Sequence, residues 1–201
     1  GERAGVSHST RAKLAARFPV LVTLRLCEGL RTLREEKAAA RVQAAFEASA
    51  REDFHVAEWS IQATHVHLLV EARDGRALSR GMNGLAVRIA RGLNRLWRRV
   101  GRVFGDRYHS RVLRSPSEVR RALVYVLQNA RKHGAWFARV ADVFSSGGSF
   151  GGWREGNAAD SSRRSRAWTW LLAVGWRRLG LIGVLEGPKG AVEGGDVALR
   201  G

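Results

Sequence analysis

The chain has 201 residues, 45% of them hydrophobic, which predicts a packed domain with an extension and excludes wholesale disorder. The formal net charge is +17. So many positive side chains repel one another, which predicts a polyanionic partner, either nucleic acid or an anionic membrane surface. No apolar run approaches the roughly 18–20 residues that span a bilayer, which excludes a transmembrane helix in this sequence.

Hydrophobic periodicity predicts that strands and helices alternate over residues 19–133. Val20, Val22 and Leu24 share one face of the first segment, which is the period of a half-buried strand. In chain order we predict a strand at 19–26, a helix at 31–52, strands at 54–60 and 61–71, a helix at 77–99, a strand-like ribbon at 102–114 and a helix at 115–133. This order predicts an α+β fold, a ferredoxin-like antiparallel sheet with helices on one face.

The composition changes towards the C-terminus and divides the chain into three blocks. These are a folded domain at 1–140, a Gly/Ser-rich linker at 141–165 and a basic, Trp-rich tail at 166–201. Residues 167–186 are apolar enough to form a short helix or strand that docks back on the domain, and the residues from Gly187 are predicted to be disordered. We expect the five tryptophans after residue 134 to pack this tail rather than to stack on bases.

The excess charge is concentrated in one part of the chain. Residues 73–134 carry 16 Arg or Lys against three acids, a net of +13, whereas residues 1–72 and 135–201 contribute +1 and +3. Only four of the 35 basic residues are Lys. Arginine binds phosphate through a planar fork and stacks on bases, so the composition favours nucleic acid, although a codon bias would give the same ratio. Basic residues spread through a folded pattern disfavour a membrane surface.

Cys27 is the only cysteine in the chain. A lone thiol excludes an internal disulfide and a cysteine-based zinc site, and it is typical of a reducing compartment. The first residues are polar and lack the apolar core of a signal peptide. Because the sequence begins at Gly1 rather than at Met, we expect a fragment or a chain trimmed at its N-terminus.

Two histidines in the third predicted strand form the first candidate site. His65 and His67 are two residues apart, so both imidazoles point to the same face of the strand. Two neighbouring imidazoles on an exposed face can hold one divalent metal. An incidental surface pair gives the same pattern, so this motif alone does not decide between the two.

Tyr125 lies in unusual surroundings on the last predicted helix. A helical wheel places it with Arg121, Gln128 and Lys132 on the polar side, and Asn129 lies at the edge of that side, one turn further on. Basic and amide groups beside a phenol are suited to hold a phosphate there. Tyr108 is the only other tyrosine and stays an alternative nucleophile, although it lacks a ligand partner at helical spacing.

The two candidate sites are complementary. His65, His67 and the Asn129 amide oxygen would give three neutral ligands and leave positions open for phosphate oxygens. Mg²⁺ or Mn²⁺ fits such a nitrogen and oxygen set, and Zn²⁺ fits it less well because no thiolate is present.

Three ordered motifs over residues 19–134 resemble the REP-associated tyrosine transposases, a branch of the single-tyrosine HUH transposases. They are HVHLLV, MNGLAVRIARGLNRLWRRVGRVFGDRYHSRVL and RRALVYVLQNARKHG, and the tail motif WLLAVGWRRLGLIG is also similar to tails of that branch. Relatives often carry a histidine in the first strand where this chain has Leu21.

The resemblance implies a ferredoxin-like catalytic domain at 1–140 that cleaves single-stranded DNA near a hairpin. It implies Tyr125 as the nucleophile that forms a 5′-phosphotyrosine link, with His65, His67 and Asn129 as metal ligands. It further implies a REP-like hairpin DNA partner, a monomer or homodimer, and a place in the bacterial cytoplasm with the nucleoid.

Basic side chains of the last three predicted elements are the candidates for DNA contact, since arginine binds the backbone and stacks on unpaired bases. They are Arg80, Arg88, Arg91, Arg95, Arg107, Arg111, Arg121 and Lys132. A solvated basic face is the alternative reading of the helix at 77–99.

Two other functions stay open from the sequence. A non-catalytic module for single-stranded DNA or RNA, such as a domesticated or decayed transposase, would have the same fold class and basic surface. A metal-dependent phosphodiesterase that uses water would need the histidines but not Tyr125.

Overall fold

The computed structural model describes residues 14–132, 141–156 and 167–187. The strands are β1 (Val20–Arg25), β2 (Phe54–Ile61), β3 (His65–Ala72) and β4 (His109–Val112). The α-helices are α1 (Glu36–Ala48), α2 (Gly75–Leu96), α3 (Pro116–Lys132) and α4 (Trp170–Ala173), with 3₁₀ turns at Ser146–Ser149 and Gly175–Leu179. Each element predicted over residues 19–133 is present, and the strand-like ribbon shortens to the four residues of β4.

The four strands form one sheet in the order β2-β3-β1-β4, and every neighbouring pair is antiparallel. Helix α1 connects β1 to β2 and helix α2 connects β3 to β4, so each connection passes over the strand that lies between its ends. This is the ferredoxin-like arrangement, and the predicted fold class is confirmed.

The sheet is apolar on both faces. Val22 and Leu24 of β1 lie in a buried cluster with α1 and α2, whereas Leu21 lies in a second cluster with Leu69 of β3 and Leu123 of α3. The predicted one-sided placement therefore holds for α1 and α2, while α3 packs on the opposite face. Side chains alternate between the two faces along a strand, so the apolar Leu21 and Leu69 point away from α1 and α2. Helix α3 packs on the opposite face because it buries these two side chains.

The C-terminal segment, which we define as residues 167–187, docks on α3 as predicted. Its Leu172, Trp176 and Ile182 are buried in the same cluster as α3. Trp168 and Trp170 are 48% and 49% exposed, so only part of the tryptophan set packs the core. Trp136 and the residues from 188 onward lie outside the described residues. Within the described ranges, no helix has the length and apolarity that a bilayer crossing requires.

The described part of the predicted linker, residues 141–156, is folded onto the sheet rather than extended. The Ser146 hydroxyl donates to the Glu58 carboxylate at 2.5 Å and accepts from the Trp59 backbone N–H at 2.9 Å. Phe150 and Trp153 are buried against the α3 cluster. A Gly/Ser-rich composition is typical of a flexible linker, which is why the sequence predicts one here. Composition does not show that the aromatic and hydroxyl side chains of this segment find partners on the sheet.

Candidate metal and nucleophile site

The start of β3 carries both histidines on the face of the sheet that α3 covers. Val66 and Leu68 point into the cluster with α1 and α2, so the alternating His65 and His67 point the other way. We call this side of the sheet the histidine face. The neighbouring β1 places Thr23 directly opposite His67.

The two imidazole rings converge on one point. The Nε2 atoms of His65 and His67 lie 2.9 Å apart. Thr23 Oγ1 lies 2.9 Å from Nδ1 of His67, and Thr64 Oγ1 lies 3.3 Å from Nδ1 of His65. A threonine hydroxyl thus lies beside each Nδ1 while the two Nε2 atoms converge, which is the arrangement of metal-binding histidines whose other ring nitrogen is hydrogen-bonded.

The donor set fits a divalent cation. Two nitrogens bound at about 2.1 Å and at right angles lie about 3 Å apart, close to the separation of the two Nε2 atoms. Among the described residues no three His, Cys, Asp or Glu side chains gather, so a third protein ligand has to be of another type.

Asn129 supplies a group of that type. It is fully buried, and neither Oδ1 nor Nδ2 of its amide has a hydrogen-bond partner in the described part of the chain. An unsatisfied buried polar group costs about 1–3 kcal/mol, so such a group calls for an explanation. A cation held together with His65 and His67 provides one, because the amide oxygen is a good ligand for Mg²⁺ or Mn²⁺.

Tyr125 of α3 lies directly beside the histidine pair. Its hydroxyl is 3.2 Å from Nε2 of His67, and the two ring centroids are 4.8 Å apart in an edge-on arrangement. The ring is half-buried against the α3 cluster. Asn129 follows four residues later, so the helix presents the phenol and the amide on the same side.

The structure separates the two tyrosines. Tyr108 packs against the cluster of α1 and α2, whereas Tyr125 packs against the cluster of α3 on the histidine face. The Tyr125 hydroxyl lies within hydrogen-bond distance of His67, a candidate metal ligand. The two tyrosines thus lie on opposite faces of the sheet, and Tyr125 is on the face that carries the histidines.

Gln128 corrects the predicted polar side of α3. It is 2% exposed, and its amide nitrogen donates to the backbone carbonyls of Gly183 at 3.3 Å and Val184 at 2.6 Å. The helical wheel placed Gln128 on the polar side of α3 with Arg121; Arg121 is exposed, but the C-terminal segment covers Gln128. Gln128 thus ties α3 to that segment and does not face a phosphate.

The basic residues predicted to contact DNA do not all lie on the same face of the sheet as the histidines. Arg80, Arg88, Arg91 and Arg95 are on α2, across the sheet from the histidine face, while Arg107, Arg111 and Arg121 are exposed beside or within β4 and α3. Two carry acidic partners, since Arg80 contacts Asp53 at 2.8 Å and Arg111 contacts Glu118 at 3.0 Å. Arg121 stands one turn before Tyr125. Lys132 ends α3, and its side chain lies outside the described residues.

Sequence reasoning missed three residues that share the histidine face. Thr23 contacts His67, Arg25 is the cross-strand partner of His65, and His109 of β4 is the cross-strand partner of Thr23. The polar alternation of β1 is visible in the sequence at Thr23 and Arg25. The sequence does not show the register between β1 and β3, and that register places Thr23 and Arg25 beside the histidines.

Two buried carboxyls lie outside this site. Burial raises the pKa of Glu58 to about 7, against the lowering effect of the Ser146 hydroxyl. Burial also raises the pKa of Glu71, whose carboxylate accepts the backbone N–H groups of Trp168 at 2.6 Å and Thr169 at 2.7 Å. Both carboxyls anchor later segments of the chain to the sheet.

No model of a known family and no curated protein matches the sequence. A solved REP-associated tyrosine transposase bound to a REP hairpin is 16% identical, with a TM-score of 0.55, and the match covers 70% of this chain and 82% of that chain. A bacterial tRNA(His) guanylyltransferase-like protein in complex with ATP is 13% identical, with a TM-score of 0.46, over 61% of this chain and 60% of that chain. The second likeness is too distant to support an argument. The first confirms, at the level of the fold, the resemblance predicted from the sequence.

Proposed function

We propose that this chain is a metal-dependent endonuclease and strand transferase for single-stranded DNA near hairpins, with Tyr125 as nucleophile. One observation carries the proposal: the Tyr125 hydroxyl lies 3.2 Å from Nε2 of His67, which itself lies 2.9 Å from Nε2 of His65. A phenol is thus held where two nitrogen ligands converge. Asn129, one turn after Tyr125 on α3, would add the third ligand, since its buried amide has no hydrogen-bond partner among the described residues.

The residues suggest the following division of labour. His65, His67 and Asn129 would hold Mg²⁺ or Mn²⁺, which supplies charge neutralisation at the scissile phosphate. The Tyr125 phenol releases its proton to solvent as its oxygen attacks phosphorus in line with the leaving 3′ oxygen. The new bond joins the tyrosine to the 5′ phosphate, the bond from phosphorus to the 3′ oxygen breaks, and that oxygen takes up a proton. Because a phosphodiester is retained, a 3′-hydroxyl can reverse the step and join strands without ATP.

Three observations support DNA as the partner. The net charge of +17 favours a polyanionic partner. The fold is shared with a transposase whose structure holds a REP hairpin. Arg121 is exposed one turn before Tyr125, where a bound backbone phosphate would neutralise it.

The proposal is tested with hairpin DNA labelled at either end and incubated with the protein and Mn²⁺ or Mg²⁺ on denaturing gels. A 5′-phosphotyrosine link predicts that the 3′ label migrates with the protein, while the 5′ label appears in a shorter strand with a free 3′-hydroxyl. Chelator should abolish both products.

Tyr125→Phe and Tyr108→Phe form a matched pair of variants. We expect Tyr125→Phe to abolish the adduct and Tyr108→Phe to retain it. Cleavage that persists in Tyr125→Phe but stops in His67→Ala would instead establish a phosphodiesterase that uses water. Tight hairpin binding with no cleavage by the wild type, with or without chelator, would establish a binding module.

A further inference from the structure

Arg25 is the last residue of β1, and its side chain lies on the histidine face. Its neighbours Leu24 and Leu26 are buried in the cluster on the other side of the sheet, which fixes the direction of Arg25 by the two-residue period of the strand. The register pairs Arg25 with His65. Directly opposed residues have Cβ atoms about 4.5–5.5 Å apart, so the Cβ atom of Arg25 lies beside that of His65.

Within the described residues, the charge of Arg25 is not neutralised. Its side chain is exposed, and its guanidinium forms no ion pair or hydrogen bond with any residue in the ranges 14–132, 141–156 and 167–187. Other arginines that flank the sheet are engaged: Arg34 pairs with Asp142 at 2.8 Å and Arg111 with Glu118 at 3.0 Å. Arg25 is therefore a permanent cation at the edge of the histidine pair whose N–H donors no residue of those ranges uses.

We propose that Arg25 binds a non-bridging oxygen of the scissile phosphate beside His65, its cross-strand partner. This inference rests on the proposed function and adds a specific catalytic contact to it. A planar guanidinium offers two parallel N–H donors to phosphate, which lysine does not. It stabilises the negative charge that moves over the phosphate oxygens while the Tyr125 oxygen–phosphorus bond forms and the 3′ oxygen leaves.

The experiment compares Arg25→Gln and Arg25→Lys with the matched control Arg41→Gln. Arg41 is exposed on α1, across the sheet from the histidine face, so its variant removes the same charge elsewhere. The single-turnover rate of adduct formation is measured at saturating hairpin DNA with Mn²⁺. Hairpin affinity is measured separately with chelator over a series of salt concentrations.

A direct contact with the scissile phosphate predicts that Arg25→Gln lowers the saturated rate by about 100-fold. Arg25→Lys should recover only part of this loss, and Arg41→Gln should react at the wild-type rate. In chelator, Arg25→Gln should reduce the slope of log affinity against log salt by about 0.7, the value for one phosphate contact on a single strand.

The outcomes separate this inference from the proposed function. If the wild type forms the adduct and Arg25→Gln forms it at the same saturated rate, the Arg25 contact is wrong while the tyrosine mechanism stands. A weaker affinity with an unchanged saturated rate also overturns it, because Arg25 would then bind a phosphate that does not react. If the wild type forms no adduct, the proposed function fails, and an unchanged salt slope for Arg25→Gln would remove the phosphate contact as well.

Discussion

Replacing Asn129 with leucine tests whether a cation ligand explains its buried amide. Asn129 is fully buried on α3, and both amide atoms lack hydrogen-bond partners among the described residues. Leucine has a similar volume and no polar atoms. If the amide serves no structural contact, the cation-free protein should therefore gain stability from the substitution.

The magnitude follows from the two unsatisfied atoms. Each buried polar group without a partner costs about 1–3 kcal/mol, and repacking around a new side chain offsets part of the gain. We expect Asn129→Leu to be about 1–3 kcal/mol more stable than the wild type in chelator. For a chain of this size that corresponds to a rise in Tm of about 2–12 °C.

Gln128→Leu is the matched control, since it replaces the preceding buried amide of the same helix. The Gln128 amide donates to the carbonyls of Gly183 and Val184, so its loss strands two buried acceptors. That variant should lose about 1–3 kcal/mol in chelator. The two adjacent substitutions are thus expected to change stability in opposite directions.

The assay is thermal or urea unfolding in chelator and in a series of Mn²⁺ concentrations. The wild type should gain stability with Mn²⁺, as any ligand of the native state provides, and Asn129→Leu should gain far less. A loss of several kcal/mol by Asn129→Leu in chelator would refute the reasoning, because the amide would then be holding the fold. An undiminished response to Mn²⁺ would show that Asn129 is not a ligand.

Two further predictions follow from the same structure. His67→Ala should lose the stabilisation by Mn²⁺ while Tyr125→Phe keeps it, since the first substitution removes a proposed nitrogen ligand and the second only a hydroxyl. Equal responses of the two variants to Mn²⁺ in a thermal-shift titration would contradict the proposed metal site. For Glu58, burial raises the folded-state pKa to about 7, above the ordinary value of 4.5, so the carboxyl ionises at lower pH in the unfolded chain. Stability therefore falls as the pH rises through this window. The loss approaches about 3 kcal/mol above pH 7, and Glu58→Gln should remove it; parallel unfolding curves for both proteins between pH 4.5 and 8 would show that the carboxyl ionises equally in both states.

The sequence predicts the strand that carries the histidines and the helix that carries Tyr125 because both depend on local periodicity. A two-residue period is enough to put His65 and His67 on one face, and a four-residue spacing is enough to put Tyr125 and Asn129 on one side of α3. Both relations are present in the structure, and predicting them requires no knowledge of the surrounding fold. The ferredoxin-like order of elements follows in the same way, from the alternation of the two periods.

The features that sequence missed all depend on contacts between distant segments. Gln128 looks solvent-facing on a wheel because the wheel does not contain residues 183 and 184, which cover it. Arg25 looks like an ordinary strand-end charge until the register with β3 sets it opposite His65. The α2 arginines stay candidates for DNA contact, but charge density along the chain does not show that α2 packs on the face of the sheet opposite the histidines.

The position of α3 links the C-terminal segment to the chemistry. One side of this helix presents Tyr125 to His67, and another is held by the segment through Gln128 and through Arg120, whose guanidinium pairs with Glu186 at 2.5 Å. A phenol 3.2 Å from a ligand nitrogen leaves little room for the helix to shift, because a displacement of about 1 Å is enough to lose an in-line geometry. The C-terminal segment is therefore part of the framework that holds the Tyr125 hydroxyl beside the histidine pair, that is, the proposed nucleophile beside the proposed metal site.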